Sequence, residues 1–291
     1  MSHVTAQLLD GTAVAKAIQS EIAHGVAALK KNAGVAPRLA AVLVGDDPAS
    51  QVYVRNKDQL MARIRRLNED PDVDGILVQL PLPRTLDGVA VFLALDPVKD
   101  VDGLHPLNAG RLLMRLDAPV PCTPAGIVEL LERYRLPVAG RHAVIVGRSE
   151  IVGRPLGSLL LQRDATVTVC HSKTRDLPAI TRQADLLIAA IGRPAFIRSE
   201  HIGDGATVID VGVNRLDDEG AAAAIFGTDS PRVRQVRERG YTLVGDVHPR
   251  EAADRAAHLS PVPGGVGPLT IACLLRNTLR AALARRQVAA R

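Results

Sequence analysis

His142-Ala143-Val144-Ile145-Val146-Gly147-Arg148-Ser149-Glu150-Ile151-Val152-Gly153-Arg154-Pro155 is the stretch whose reading decides the fold. Its first five residues read as a buried strand that stops at Gly147. A helix is expected to begin near Pro155, because a proline costs no hydrogen bond in the first helical turn. Strand, glycine turn and helix N-terminus together form the geometry that receives a diphosphate, since backbone N–H groups and the positive end of the helix dipole both face it. The spacing is not G-x-G-x-x-G, so by itself the stretch is equally an ordinary tight βα turn.

The next strand, Val167-Thr168-Val169-Cys170, sharpens the reading. An NAD-preferring site often carries Asp or Glu at the end of this strand to bind the ribose hydroxyls. Here His171-Ser172-Lys173-Thr174 supplies hydroxyls and a cation instead, and with Arg148 nearby they suit a 2′-phosphate and therefore NADP. A polar loop at a strand end is common, but both features at the right separation favour a dinucleotide.

Working outward, strands are expected near 142–146, 166–170, 185–191 and 206–211, with a short one near 241–244 and a final helix over 269–287. Upstream, Pro119-Val120-Pro121-Cys122-Thr123-Pro124 marks a boundary, with Thr123 as N-cap and Pro124 as first residue of a helix over 124–134. Before it come a helix over 12–31, a strand from Arg38 to Val44, and a helix over 59–67 ended by Asn68-Glu69-Asp70-Pro71. A strand from Gly75 to Leu80 follows, stopped by Pro81-Leu82-Pro83, then a helix from Asp87 to Leu95. Two βα alternations imply an α/β protein of two domains, an N-terminal α/β domain and a C-terminal Rossmann-like domain with a parallel sheet.

Composition narrows the function. The 291 residues suit two domains or one large one. Hydrophobic residues make up 47% but aromatics only 2%, so the cores must be built from Ala, Val, Leu and Ile, as in parallel strands covered by helices. A net charge of +5 is compatible with nucleic acid. The basic residues are dispersed, however, with almost no aromatics to stack bases, so an anionic small molecule is the better match and no nucleic-acid partner is expected. Cys122, Cys170 and Cys273 are never paired as C-x-x-C, which argues against a disulfide framework and structural zinc. The histidines show no ligand spacing, so no metal is expected, and no G-x-S-x-G elbow is present. The stretch Met1 to Gln7 lacks an apolar leader and no long apolar span follows, so no membrane partner is expected and a reducing cytoplasm is the expected setting.

Thirty arginines accompany six lysines, and one lysine stands out. Lys57 closes Ser50-Gln51-Val52-Tyr53-Val54-Arg55-Asn56-Lys57. Arginine stays protonated, whereas a buried lysine can shed its proton and act as a base. Tyr53, four residues earlier, would share its face on a helix beginning near Ser50. On the local stretch alone, a solvated surface lysine is the commoner reading. Asp100-Val101-Asp102-Gly103 is another candidate: carboxylates in a turn are usually caps, but a buried one can accept two hydrogen bonds from an amino-pyrimidinone edge. Gln79 stands near a strand end, where open parallel sheets place ligands, or else simply faces water. Asp72, Asp74, Asp87 and Asp217-Asp218-Glu219 read as solvated turn residues. Pro261-Val262-Pro263-Gly264-Gly265-Val266-Gly267-Pro268 fixes a loop whose backbone can approach a ligand, or is a rigid connector into the last helix.

Together these segments resemble the bifunctional methylenetetrahydrofolate dehydrogenase / methenyltetrahydrofolate cyclohydrolase family. The resemblance rests on Val44-Gly45, Pro48-Ala49-Ser50, Tyr53-Val54 and Lys57, then on Asp74 to Pro83, Lys99 to Gly103 and Pro121 to Gly126. Gly147-Arg148-Ser149, Ile151-Val152-Gly153, Asp210-Val211-Gly212-Val213-Asn214 and Pro261 to Thr270 complete it. They run in order over nearly the whole chain.

The resemblance implies a cleft between two domains and a homodimer, with residues 1–120 and a returning C-terminal helix 271–291 handling folate and residues 121–270 binding NADP. It implies Lys57, Tyr53, Gln79 and Asp102 as catalytic residues. Ser50, Tyr53, Asp102, Pro263 and Gly264 would contact the tetrahydrofolate, and Thr123, Gly147, Arg148, Ser149, Ser172 and Val213 would contact NADP. The implied chemistry is oxidation of 5,10-methylenetetrahydrofolate with NADP, then hydrolysis of the methenyl product to 10-formyltetrahydrofolate, within one-carbon metabolism and purine biosynthesis. Neutral Lys57, steadied by Gln79, would assist the hydrolytic water.

One departure concerns the stretch after Lys57, where family members carry the rest of a helix and a strand. Residues 45–74 still exceed the roughly twelve that a parallel crossover needs, so the strands can connect. A true deletion beside the catalytic helix should damage the fold, so residues absent from the sequence as read are the expected cause; an intact mass of 30.9 kDa would instead mean a true deletion. Three rivals remain: a monofunctional enzyme of the same fold, a non-catalytic folate or nucleotide binder, and, remotely, a basic nucleic-acid binder with steeply salt-dependent affinity.

Overall fold

The computed structural model describes residues 5–44 and 57–286. Its strands, in chain order, are β1 (Gln7–Leu8), β2 (Leu39–Val42), β3 (Gly75–Val78), β4 (His142–Val146), β5 (Thr166–Cys170), β6 (Leu186–Ala189), β7 (Thr207–Asp210), β8 (Asn214–Leu216), β9 (Thr242–Val244) and β10 (His258–Leu259). The chain divides into two compact units, one formed by Met1–Ala15 with Thr123–Ile271, the other by Lys16–Cys122 with Ala272–Arg291.

The first unit holds a six-stranded sheet in the order β1-β10-β7-β6-β4-β5, parallel throughout. Strand β4 is Val/Ile-rich and β6 is buried along its whole length, as parallel strands covered on both faces require. Residues 1–15 group with this unit, and within it β1 pairs with β10. Register places Val146 opposite both Cys170 and Ala189, and Ala189 opposite Asp210, so four strands end in one row. From β4 the chain goes to one side for β5 and then crosses to the other for β6. That reversal is where open parallel sheets hold their ligands. The strands expected over 142–146 and 166–170 occupy those residues. Strands β1, β8 and β10 were not expected, because two or three residues carry no periodicity to read.

In the second unit the helix Lys57–Glu69 presents Leu60, Ile64 and Leu67 at i, i+4 and i+7. All three are buried against Val42, Ile76, Val78 and Val91, and burying each contributes about 1.5–3 kcal/mol. Strands β2 and β3 pair in parallel over four positions, Leu39 opposite Gly75 through Val42 opposite Val78.

The end of that helix is held by a residue the sequence did not single out. Lys99 is 2% exposed. Its ammonium donates to the carbonyls of Leu67 at 2.9 Å, Asn68 at 2.7 Å and Asp70 at 2.7 Å. Three protons thus meet three carbonyls at a helix end, where such groups lack intrahelical partners. Burial, helped by the charge of Arg285, lowers the Lys99 pKa.

Asp74 corrects the sequence reading. Expected in solvent, it has no exposed surface. It accepts from the Arg38 N–H at 2.9 Å and from the guanidinium groups of Arg285 and Arg286. A position just before a buried strand carries the side chain inward, where a carboxylate survives only if paired. Asp87 and Asp218 do behave as turn residues, capping the helices Gly88–Leu93 and Glu219–Phe226.

Candidate active site

The turn after β4 is collapsed around two glycines. Gly147 has φ +134, and a Cβ there would stand 2.1 Å from the Ala190 carbonyl oxygen. A Cβ on Gly153 would stand 2.1 Å from the carbonyl oxygen of Gly147. Neither position tolerates a side chain, and the turn leads directly into the helix Gly153–Leu161. The Ser149 hydroxyl accepts the Val152 N–H at 3.2 Å and the Gly153 N–H at 3.4 Å, shaping the first turn. The helix begins two residues before the expected Pro155, which sits inside its first turn.

Beyond β5 the loop is folded on itself, the His171 N–H donating to Thr174 Oγ1 at 2.8 Å and the Lys173 N–H to His171 Nδ1 at 3.1 Å. Arg148, Ser149, Ser172 and Lys173 are all exposed along this edge, with no carboxylate between 171 and 174. Val213, just past β7, is 62% exposed although apolar. A glycine cradle, a helix N-terminus and a cation-and-hydroxyl pair at the second strand end fit a dinucleotide with a 2′-phosphate. The structure thus brings Gly147, Arg148, Ser149, Ser172 and Val213 to one edge of one sheet.

Two carboxylates stand behind this edge, Asp210, which the sequence offered only as part of the Asp210–Asn214 segment, and Asp246, which it did not single out. Asp210 closes β7 and is 4% exposed. It accepts the N–H of Gly212 at 3.0 Å, of Asp246 at 2.8 Å and of Val247 at 3.0 Å. Burial pushes its pKa up to about 7, against those three bonds, which favour the charged form. Asp246 has no exposed surface. Its Oδ2 accepts from Ile191 at 2.7 Å and Gly192 at 2.9 Å, and its Oδ1 from the Arg193 N–H at 2.8 Å and the Asn214 side-chain amide at 2.9 Å. An aspartate after a glycine at a strand end, Gly245-Asp246, reads in sequence as a plain turn.

Thr123 does not cap its helix, which starts at Cys122; its hydroxyl pairs with that of Thr270 at 2.9 Å. Pro263 and Gly264 lie in a loop with a cis Val262–Pro263 bond, and Gly264 has φ +100. Thr12 donates its N–H to the Gly264 carbonyl at 3.0 Å, and Arg232 donates to the Val262 carbonyl at 2.7 Å, so the loop is held from two sides.

In the other unit, Gln79 follows β3. Its backbone N–H donates to Val42, and its exposed amide donates to the Leu80 carbonyl at 2.9 Å. Asp100 bridges Ile76 in parallel, and the chain then turns at Val101–Asp102. Asp102 is half-buried and accepts the Cys122 N–H at 3.4 Å, taking the capping place expected of Thr123. Burial raises the Asp102 pKa above the usual carboxylate range, opposed by the Cys122 hydrogen bonds. Burial and the Asp102 charge in turn raise the Cys122 thiol. From the last helix, Asn277 donates to the carbonyls of Val101 at 2.8 Å and Val120 at 3.1 Å, bracketing this segment. Ser50, Tyr53 and the Lys57 side chain lie outside the described residues; the Lys57 backbone opens the helix Lys57–Glu69. No cluster of three or more metal-ligating side chains occurs among the described residues.

Comparison with known proteins matches residues 121–286 to the tetrahydrofolate dehydrogenase/cyclohydrolase NAD(P)-binding domain, and residues 9–62 and 57–102 to the catalytic domain of the same name. The bifunctional protein FolD of Koribacter versatilis is 48% identical over 303 aligned positions, covering 97% of this chain and 98% of that protein. The FolD of Solibacter usitatus is 48% identical over 298, covering 95% and 97%. An alignment of 303 positions exceeds the 291 residues of the chain, and the two catalytic-domain matches meet at 57–62, where the sequence is short. Among solved structures, the bifunctional FolD of Campylobacter jejuni superposes with a TM-score of 0.85 at 40% identity, covering 96% of this chain and 99% of that one. The Trypanosoma brucei methylenetetrahydrofolate dehydrogenase-cyclohydrolase, solved with NADP cofactor and an inhibitor, gives 0.85 at 38% identity, covering 98% and 99%.

Proposed function

The chain belongs to the tetrahydrofolate dehydrogenase/cyclohydrolase family, and from that premise we propose how its residues share two reactions. The protein is a bifunctional enzyme: it oxidises 5,10-methylenetetrahydrofolate to the 5,10-methenyl form with NADP, and it hydrolyses that product to 10-formyltetrahydrofolate. NADP, when bound, supplies the acceptor for the hydride leaving the one-carbon bridge.

The observation that carries the residue assignment is the collapsed Gly147–Gly153 turn at the point where the sheet order reverses. Gly147, Ser149 and Thr123 hold the diphosphate and nicotinamide parts of the cofactor, Arg148 and Ser172 its 2′-phosphate, and Val213 offers an apolar contact. Asp102 accepts two N–H groups from the amino-pyrimidinone edge of the folate, Tyr53 stacks on the ring, and Ser50, Pro263 and Gly264 complete the folate contacts. The protein's part in the oxidation is mainly to position two partners. For the hydrolysis, neutral Lys57 takes a proton from the attacking water, with Gln79 steadying the amine.

The finer features of the proposal are a homodimer in the cytoplasm that feeds purine biosynthesis and binds neither nucleic acid nor membrane. Among the described residues no helix is long and apolar enough to cross a membrane, and the basic residues are dispersed along the chain.

Two assays test the reading: NADPH formation from methylenetetrahydrofolate, and disappearance of added methenyltetrahydrofolate. Wild type should do both. Lys57→Met should abolish the second; a variant that kept full cyclohydrolase activity would remove Lys57 from the mechanism. Failure of wild type in the first assay would overturn the NADP half.

A further inference from the structure

We propose that Asp246 is the positioning residue of the NADP site: one buried carboxylate sets the shape of the loop that walls the diphosphate turn and of the loop that carries Val213. The proposal deepens the NADP reading and depends on it.

Asp246 accepts the consecutive backbone N–H groups of Ile191, Gly192 and Arg193 and the side-chain amide of Asn214, all between 2.7 and 2.9 Å. The first three belong to the loop after β6. The residue just before them, Ala190, has its carbonyl oxygen against Gly147, so close that a Cβ would stand 2.1 Å away. The wall of the diphosphate turn is therefore set by the loop that Asp246 holds. Asn214 adjoins Val213, which follows the end of β7, so the same carboxylate also anchors the other loop of the cofactor edge.

The surroundings leave Asp246 little freedom. A Cβ on Gly212 would stand 2.2 Å from Asp246 Oδ1, and one on Gly245 would stand 1.7 Å from Asp210 Oδ2. Asp210 accepts the Asp246 N–H and the Gly212 N–H with a single oxygen, so it fixes the backbone from which the second carboxylate reaches out. Four N–H groups aimed at Asp246 require an acceptor on both oxygens. An amide has one acceptor and two N–H groups, so Asn at 246 would set donor against donor on one side. None of these residues needs to touch a reacting atom.

The test uses Asp246→Asn and the milder Asn214→Ala in the full chain. NADPH affinity is measured by equilibrium binding without folate, alongside KM for NADP, kcat at saturating NADP, cyclohydrolase turnover without NADP, and cofactor-free melting. Asp246→Asn is expected to weaken NADPH binding roughly tenfold to a hundredfold, the cost of a lost bond to a charged acceptor. KM for NADP should rise in step, while kcat at saturation and cyclohydrolase turnover change less than about twofold. Asn214→Ala should shift the same quantities in the same direction, by roughly threefold to tenfold, and it supplies the result if Asp246→Asn does not fold. Unchanged NADPH affinity in the folded variants, or both activities falling together with melting, would overturn the proposal by making the carboxylate merely structural. Wild type that binds no NADPH would overturn the underlying cofactor reading instead.

Discussion

Arg286 donates from one nitrogen to both carboxylate oxygens of Asp74, at 2.9 and 3.0 Å, and Asp74 has no exposed surface. Arg285 joins the same carboxylate at 3.1 Å and also reaches the Val73 carbonyl. The end of the chain's last helix is thereby tied to the start of β3.

Removing one partner of such a cluster leaves buried charge without compensation. Asp74→Ala should cost about 3–5 kcal/mol of unfolding free energy in urea titration. A loss below about 1 kcal/mol would class the cluster with ordinary surface pairs.

Lys99→Met preserves the alkyl stem but strips the three carbonyls of Leu67, Asn68 and Asp70 of their donor. A stability loss of about 3 kcal/mol is expected. Hydrogen exchange should locate the loosening in the last turn of the helix Lys57–Glu69, and protection equal to wild type there would contradict this.

Gly147→Ala should distort the turn proposed to hold the cofactor, since the new methyl meets the Ala190 carbonyl. Strain of about 2 kcal/mol corresponds to roughly thirtyfold weaker NADPH binding. Gly140→Ala is the matched control: its φ is +71 with nothing within 4 Å of a Cβ, so it should cost only about 1 kcal/mol and leave NADPH affinity alone.

Asp210 should write a pH dependence into stability. Burial raises its folded pKa from 3.8 to about 7. Between those values the folded chain holds a proton that the unfolded chain has released, so stability falls with rising pH. The contribution is complete below about pH 4 and is lost as pH climbs through about 7. Urea titrations of wild type and Asp210→Asn across that range should give a difference that shrinks with pH; a constant difference would contradict the assignment.

The central strands and the helix over 59–67 were legible because burial on both faces of a strand, or on one face of a helix, imposes a local pattern. So was the glycine turn, since Gly147 and Gly153 stand where no side chain fits. The short strands β1, β8 and β10 were not, because two or three residues carry no periodicity. Asp74 was misread because its neighbours make a turn, whereas its burial rests on arginines more than two hundred residues later. Thr123 offered the right cap chemistry, but Asp102, twenty residues earlier, took the place.

By itself the sequence determined the α/β class, the strand, glycine turn and helix of residues 142–161, and the family likeness, because these depend on residue types at short, fixed spacings that local sterics and hydrogen bonding dictate. The tertiary structure alone decided which charged groups would be buried: Lys99 on a helix end, Asp74 under two arginines, Asp210 and Asp246 behind the loops that follow β6 and β7. A charge enters the interior only where partners from remote segments converge on it, and no local pattern records that convergence.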